Sequence, residues 1–285
     1  MTGLPPGGEK EGFVRRHVTG ALKWLVFSNL YLAIFGHAAM TASMMVLFRV
    51  PVNVVLLVIA FSGSMLIYSL NRYQDWQEDR INLPERSNFS TRYGRIITGA
   101  SVPAFVVSLV FASCLNIAVL AVVLLPFVLG ILYSHLRLKR IFLLKNLIIS
   151  AGVSATLLVV VAVYPVAPRT WLPLYAILLC GILVNTIIFD IKDIPGDRFA
   201  GIRTLPVTLG ERRTREICIL LLAVMIFFSI PLLQGDRIFW ALVPFFSYIG
   251  GYILFVPAGT SPWWFYGMVV DGEYLFLLVF ALLLR

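Results

Sequence analysis

Runs of about twenty apolar residues recur along this chain from one end to the other. A helix needs roughly 20 such residues to cross the hydrocarbon core of a membrane. Only 13% of the 285 residues are charged, against roughly a quarter in soluble proteins. The pattern therefore predicts an all-α, polytopic membrane protein with about nine transmembrane helices in one bundle. The predicted helices lie near residues 20–47, 51–70, 96–114, 117–134, 145–164, 171–189, 214–233, 237–256 and 266–284.

The basic residues are distributed unevenly between alternate polar segments. With the N-terminus in the cytoplasm, the inside segments hold 19 of the 23 basic residues. Cytoplasmic loops of membrane proteins are enriched in Lys and Arg. We therefore expect a multi-pass cell-membrane protein, with residues 1–19 as a cytoplasmic tail and residues 20–285 as the membrane domain. Topology and contact with anionic membrane lipid explain the net charge of +9, so no nucleic acid partner is expected.

Two acidic stretches, NRYQDWQEDRINLPER and FDIKDIPGDRFAGIRTLPVTLG, interrupt the apolar pattern and hold seven of the chain's 14 acids. In the first motif, NRYQDWQED, the residues Asn71, Asp75 and Asp79 are spaced i, i+4, i+8, which places them on one face if the helix continues. In the second, FDIKDIPGD, the acids are spaced i, i+3, i+7, although the Pro-Gly pair at 195–196 is expected to end the helix there. Each motif offers oxygen ligands at the water end of a predicted helix.

Two facing clusters of carboxylates repel each other unless cations lie between them. Mg²⁺ binds through one or two carboxylates and completes its shell with water and substrate phosphates. The spacing therefore predicts a Mg²⁺-bridged diphosphate substrate, and basic side chains such as Arg72 and Lys192 would take the remaining charge. The alternative is a set of solvated loop acids with basic neighbours. The predicted catalytic and metal-binding residues are Asp75, Asp79, Asp190, Asp193 and Asp197.

A few other polar residues are candidates for binding the substrate. Lys139 and Arg140 follow Tyr133 in the predicted inside loop between the fourth and fifth helices. Their alternative role is only to fix topology, because inside loops are basic in any case. Asn185 lies inside a membrane helix about one turn before the second motif, where a polar side chain usually faces protein and not lipid.

The two motifs together resemble those of the UbiA superfamily of intramembrane prenyltransferases. The first family motif, written NxxxDxxxD, matches Asn71, Asp75 and Asp79, and the second, DxxDxxxD, matches the acids at 190, 193 and 197. The stretch AGIRTLPVTLG and the pattern from Tyr133 to Lys139 and Arg140 are also similar to the family. One departure is Arg72, which stands where many members have Asp.

The resemblance implies transfer of an isoprenoid chain from a prenyl diphosphate to an acceptor, with Mg²⁺ as cofactor. Mg²⁺ and basic side chains would neutralise the departing diphosphate, and the helices would keep water from the allylic cation. The expected acceptor is a small lipophilic or aromatic molecule such as a quinone precursor.

Other functions remain open from the residues. On the same scaffold, the alternatives are an ether-lipid prenyltransferase that uses a glycerol phosphate acceptor and a terpene cyclase. A secondary transporter would place its polar groups near the midplane of the bilayer, whereas these acids cluster at one end of the helices. A CDP-alcohol phosphotransferase would carry one compact acidic stretch instead of two distant ones.

Overall fold

The computed structural model describes residues 7–74, 76–135, 142–257 and 262–285, and every regular element in these ranges is helical. The α-helices are α1 (Gly7–Phe27), α2 (Ala39–Leu47), α3 (Val54–Gln74), α4 (Trp76–Asn82), α5 (Pro84–Leu115), α6 (Ile117–His135), α7 (Leu144–Val163), α8 (Pro168–Ala200), α9 (Leu205–Gly235), α10 (Leu242–Leu254) and α11 (Glu273–Leu283). Two π-helical segments, Leu32–Ala38 and Phe265–Val270, and one 3₁₀ segment, Arg237–Ala241, join some of them.

The predicted membrane segments all correspond to observed helices. Seven helices of the described part are long and apolar enough to cross a membrane. The count is eight if His17–Phe27 and Leu32–Leu47, which are bent by 56° relative to each other, are taken as one broken span. The shorter apolar stretch Ile117–Leu129 of α6 accounts for the ninth segment. The prediction of an all-α polytopic protein with about nine spans is therefore confirmed.

The apolar residues divide between a packed interior and an outer surface. Met44, Leu157 and Ile177 are fully buried between helices, whereas Phe227 and Leu283 are 67% and 73% exposed. An outer surface this apolar is suited to lipid and not to water. The second acidic motif lies on α8, which packs against α4, α7 and α9 near the centre of the bundle.

Helix α8 is longer than the sequence predicts. It continues through Pro195 and Gly196 and ends only at Gly201, whose φ of 69° is left-handed. The N–H groups of Gly201 and Ile202 bond back to the carbonyls of Arg198 and Asp197, which is the Schellman arrangement that closes a helix. The prediction that the Pro-Gly pair ends this helix is therefore wrong, and all three acids of the second motif lie on one continuous helix.

The beginning of the chain differs from the prediction as well. Helix α1 starts at Gly7, inside the segment expected to be a polar tail. The break in the first span falls at Asn29, which has a left-handed φ of 68°. This conformation turns the chain between α1 and the π-helical segment and places the Asn29 side chain beside the end of α3.

Candidate active site

A cavity of about 240 Å³ lies where both acidic motifs meet. We call it the polar cavity. Helix α8 supplies one wall of the cavity. A second wall consists of α3, α4 and the start of α5, and the remaining side is closed by the start of α7 and the chain before α11. The polar and charged residues of its wall include Asn71, Arg72, Asp79, Arg86, Lys145, Asn185, Asp190, Lys192, Asp193, Asp271 and Glu273.

Asp190 is the most buried acid of the second motif, with 1% of its surface exposed. Its Oδ1 accepts a hydrogen bond of 2.8 Å from Lys145 Nζ. Its Oδ2 accepts one of 2.8 Å from Asn146 Nδ2. Removing a carboxylate from water is costly unless cations and donors satisfy it, and the first turn of α7 supplies both here.

Asp193, one turn further along α8, is paired within its own helix. Both of its oxygens accept from Lys192 Nζ, at 2.6 and 2.7 Å. The same ammonium group lies 5.2 Å from the ring centre of Phe189 and 5.8 Å from that of Tyr266. Aromatic faces attract a cation at such distances, so they help to hold the lysine in the cavity.

The first motif contributes a third ion pair. Asp79 of α4 accepts a hydrogen bond from Arg86 near the start of α5. Arg72 has a different environment: its Nε donates to the neutral side chain of Asn29 at 2.9 Å. The polar cavity thus holds three carboxylates that each carry an ammonium or guanidinium partner, together with a fourth cation, Arg72, bonded to a neutral amide.

Two acids near the start of α11 also line the polar cavity, and the sequence predictions missed them. Glu273 is 1% exposed and accepts from Tyr252 at 2.7 Å and from Asn185 at 3.3 Å. Asp271 lies two residues earlier on the same wall. The sequence does carry a signal for them, because both acids lie within an apolar segment. An acidic side chain in such a segment usually faces the protein interior and indicates a functional site.

The structure brings together seven of the residues that were predicted for the site. The predicted residues that line the polar cavity are Asn71, Arg72, Asp79, Asn185, Asp190, Lys192 and Asp193. Asp197 is buried just outside the cavity wall, where it accepts from Thr204 Oγ1 at 3.2 Å. Asp75, Lys139 and Arg140 lie outside the described residues. Tyr133 lies in α6, and the position of its side chain is also outside what the structure describes.

The arrangement does not form a closed metal cage. Within the described residues, no group of three His, Cys, Asp or Glu side chains is arranged to hold one metal ion. The carboxylates are nonetheless hard oxygen ligands that already hold cationic groups. An open set of this kind leaves coordination positions for the oxygens of a substrate.

A second cavity of about 180 Å³ joins the first one. We call it the apolar cavity. The two share His37, Tyr68, Asn71 and Lys145 at their junction. Beyond the junction the walls are mainly aliphatic and aromatic, and they include Leu56, Ile59, Ala60, Ile67, Val122, Val123, Phe127, Ile148 and Val159. A charged compartment therefore opens into a hydrocarbon-lined one.

Comparison with known proteins gives the family. A profile of the UbiA prenyltransferase family matches residues 29–284. The digeranylgeranylglyceryl phosphate synthase of Methanopyrus kandleri is 33% identical over 173 residues, which cover 59% of this chain and 62% of that protein. The somaliensene A/B synthase of Streptomyces somaliensis is 31% identical over 218 residues, 75% of this chain and 64% of that protein. The matches thus span a little under two thirds of each relative.

A solved structure has the same fold. A UbiA homologue from Archaeoglobus fulgidus bound to GPP and Mg²⁺ superposes with a TM-score of 0.63 at 16% identity, over 92% of this chain and 99% of that chain. Its Mg²⁺ agrees with the predicted cofactor. The predicted fold and the predicted prenyltransferase class are confirmed, because the family match covers nearly the whole chain. The chain belongs to the UbiA prenyltransferase family.

Proposed function

We propose that this protein transfers an isoprenoid chain from a prenyl diphosphate to a hydroxyl group of a glycerol phosphate acceptor, with Mg²⁺. The observation that carries the proposal is the junction of the polar cavity with the apolar cavity. A prenyl diphosphate has a highly charged head and a hydrocarbon tail. The two compartments match these two parts in chemistry and in order.

The residues present fit Mg²⁺. Asp79, Asp190 and Asp193 would hold it, together with Asp75 of the first motif, which lies outside the described residues. When bound, the ion neutralises the charge that develops on the departing diphosphate. A closed cage of three carboxylates is not required, because Mg²⁺ usually takes one or two carboxylates and completes its shell with phosphate oxygens and water.

The cations of the polar cavity would bind the diphosphate. Lys145 and Lys192 form ion pairs with Asp190 and Asp193. With Mg²⁺ held by those carboxylates, both ammonium groups would be available to bind the phosphate oxygens. Arg86 beside Asp79 can act in the same way. Lys139, Arg140 and Tyr133 stay proposed as further donors from the neighbouring loop. Asn71 stays proposed as well, while the Asn185 amide is already used in bonding Glu273 and the Val270 carbonyl.

The reaction is a substitution at the first carbon of the prenyl chain. The bond between this carbon and the diphosphate oxygen breaks, and its electron pair leaves with the diphosphate. The acceptor hydroxyl oxygen forms the new carbon–oxygen bond, and its proton passes to a basic oxygen of the diphosphate. The apolar walls keep water from competing with the acceptor for the allylic cation.

The proposed acceptor differs from the one predicted from the sequence. We expected an aromatic acceptor first and a glycerol phosphate as the alternative, and the relatives favour the alternative. The name of the Methanopyrus relative describes a glyceryl phosphate that carries two geranylgeranyl groups. A terpene cyclase remains a second candidate, because the somaliensene synthase match covers the larger share of this chain. The positive charge bias further supports an active-site end that faces the cytoplasm.

Product analysis tests the proposed function directly. Membranes that contain the protein are given Mg²⁺, prenyl diphosphates of several lengths, and either an alkylated glycerol phosphate, an aromatic acid or no acceptor. We expect a prenylated glycerol phosphate by mass spectrometry, and none after EDTA treatment. A prenylated aromatic product would restore the first expectation, and a cyclic hydrocarbon formed without acceptor would show a cyclase.

A further inference from the structure

A third cavity, of about 220 Å³, lies beside the polar cavity, between the end of α1, the last turns of α3 and the first four turns of α5. We call it the side cavity. It shares Phe27, Asn29, Arg72 and Asp79 with the polar cavity, so the two are neighbours across one wall. Its other polar lining residues are Ser69, Ser87, Ser90, Thr91, Arg95 and Thr98.

The side cavity concentrates polar atoms that have no partner. Ser69 Oγ, Arg72 Nη1, Ser90 Oγ and Thr98 Oγ1 are buried without a hydrogen bond, and they make up four of the nine such side-chain atoms in the described part of the chain. Buried polar groups in folded proteins are almost always hydrogen-bonded, and each exception needs an explanation. Four such donors around one cavity give it the polar lining that a ligand with several hydrogen-bond acceptors requires.

Several other hydroxyls on α5 are bonded, including that of Thr91 in the side-cavity wall, which donates to the Ser87 carbonyl at 3.0 Å. Ser101 donates to the Ile97 carbonyl at 2.8 Å, and Ser108 donates to the Ala104 carbonyl at 3.0 Å. Such a bond to the preceding turn is the usual solution for a hydroxyl in a helix. Ser90 and Thr98, which line the side cavity eight residues apart on one face of α5, do not form it.

The chemistry of the unpartnered atoms points to an anion with several oxygens. All four can donate a hydrogen bond, and one belongs to a guanidinium group. The planar donors of Arg match phosphate oxygens well, and hydroxyl groups complete such sites. Asp79 on the shared wall opposes an anion, but its charge is balanced by Arg86.

We infer that the side cavity, through Ser69, Arg72, Ser90 and Thr98, binds the phosphate of the acceptor; this inference rests on the proposed function. Arg72 faces both cavities, so a phosphate beside it leaves the glycerol carbons close to the prenyl diphosphate. Further along α5, Val102, Val106 and Val110 are 46%, 53% and 57% exposed on the apolar outer surface. They offer a path for the acceptor's own hydrocarbon chain.

The first test is kinetic and compares variants of three lining residues with a matched serine control on α5. Ser90→Ala and Thr98→Val each remove one donor and should raise the KM for an alkylated glycerol phosphate about threefold to tenfold, and Arg72→Gln about tenfold to a hundredfold. The KM for the prenyl diphosphate should change little in Ser90→Ala and Thr98→Val. Ser101→Ala is the control, because this hydroxyl lies on the same helix outside the cavity and is already bonded. An unchanged acceptor KM in all three variants would overturn the inference.

The second test needs no turnover. Inorganic phosphate, added to purified protein without Mg²⁺ or donor, should raise the melting temperature of the wild type and of Ser101→Ala equally. The same phosphate concentration should raise that of Thr98→Val by less, because the affinity of this variant is about threefold to tenfold weaker. Without phosphate, Thr98→Val should melt no lower than the wild type, since it replaces an unpartnered buried hydroxyl with a methyl group of similar size. A phosphate effect of the same size in Thr98→Val and in the wild type would contradict the inference.

The outcomes separate this inference from the proposed function. If the wild type forms no product with the glycerol phosphate acceptor, the proposed function fails. If it forms the product and both tests show no difference between Thr98→Val and Ser101→Ala, the inference alone fails. If phosphate stabilises Thr98→Val less than the wild type while the acceptor KM is unchanged, the cavity holds a phosphate other than that of the acceptor, such as the headgroup of a structural lipid, and the inference fails as well.

Discussion

At the residue scale, the candidate site is a set of carboxylates that already hold cations. Asp193 has both oxygens on Lys192, and Asp190 divides its oxygens between Lys145 and Asn146. These ion pairs compensate the buried negative charges in the absence of substrate. A buried carboxylate without a cationic partner would destabilise the folded protein. Under the proposed function, the same carboxylates would hold Mg²⁺, and Lys145 and Lys192 would then be available to the diphosphate.

Asp193→Asn should reduce prenyl transfer at least about a hundredfold, equivalent to about 3 kcal/mol of lost stabilisation of the departing diphosphate. The concentration of Mg²⁺ that gives half-maximal activity should rise as well, because one hard ligand is lost. The measurement is initial rate against Mg²⁺ in purified protein. Glu216→Gln is the control, since that carboxylate is 58% exposed on α9 and forms an ion pair with Arg212, one helical turn earlier. An unaltered metal requirement in Asp193→Asn would remove this residue from the metal site.

At the element scale, the two motifs are held together by a contact between α4 and α8. The Gly196 N–H donates to Asn82 Oδ1 at 2.8 Å. Pro195 leaves a gap in the helical hydrogen-bond pattern close to this point, and Gly196 has no side chain to keep Asn82 away. The short helix that carries Asp79 is thereby fixed against the long helix that carries Asp190.

Gly196→Ala tests this contact. A Cβ at position 196 would lie 2.5 Å from Asn82 Nδ2 and 2.8 Å from Oδ1. The amide can rotate away but loses its bond to the backbone, so we expect a loss of about 1 kcal/mol of stability and a clear loss of activity. Thermal melting and transfer rates of Gly196→Ala, Asn82→Ala and the double variant measure the coupling. Strictly additive effects on stability would show that the two residues do not act together.

An ion pair connects the end of α2 with the end of α9. Arg49 donates to Asp236 through Nε at 2.7 Å and Nη2 at 2.9 Å. These bonds, together with one from the Ile238 backbone N–H, lower the pKa of the Asp236 carboxyl to about 2. The pKa in the unfolded chain is roughly 3.9. The pair therefore contributes stability above about pH 4 and loses it as the pH falls towards 2.

The measurement is the melting temperature of the wild type and of Asp236→Asn between pH 6 and pH 2.5. The wild type should melt higher at pH 6, and the difference should shrink as the pH falls below 4. The effect will be modest, because both side chains are partly exposed to solvent. A difference that is independent of pH would mean that Asp236 acts through packing and not through its charge.

The elements and the motif acids could be predicted from the sequence because both depend on local patterns. Apolar runs predict spans, and the spacing of Asp190 and Asp193 places them on one side of a helix. The approach of Glu273 to Asn185 could not be predicted, since residues 88 positions apart meet only when α8 and the chain before α11 pack together. Arg86 was missed for a related reason, because its bond to Asp79 crosses the break between α4 and α5.

At the scale of the whole molecule, three cavities of different chemistry meet near Arg72 and Asn71. The polar cavity shares Asn71 and Lys145 with the apolar cavity, and it shares Arg72 with the side cavity. A bundle arranged in this way can hold two amphiphilic molecules with their reactive ends together and their hydrocarbon parts apart. Under the proposed function, we expect the size of the apolar cavity to set the length of the donor's hydrocarbon chain.

Ala60→Phe should shift donor preference towards short chains. Ala60 lines the apolar cavity of about 180 Å³, and a phenyl ring takes the space of a benzene molecule, which fills a cavity of roughly 150 Å³. Each CH₂ group that can no longer be buried costs about 0.8 kcal/mol. The kcat/KM for the long donor geranylgeranyl diphosphate should therefore fall at least about a hundredfold. The kcat/KM for the short donor dimethylallyl diphosphate (DMAPP) should change little. Val58→Phe is the matched control, because Val58 is 41% exposed on the outer side of the same helix. A loss that is equal for all donor lengths would mean that Ala60→Phe disturbs the fold, and an unchanged preference would place the donor chain elsewhere in the bundle.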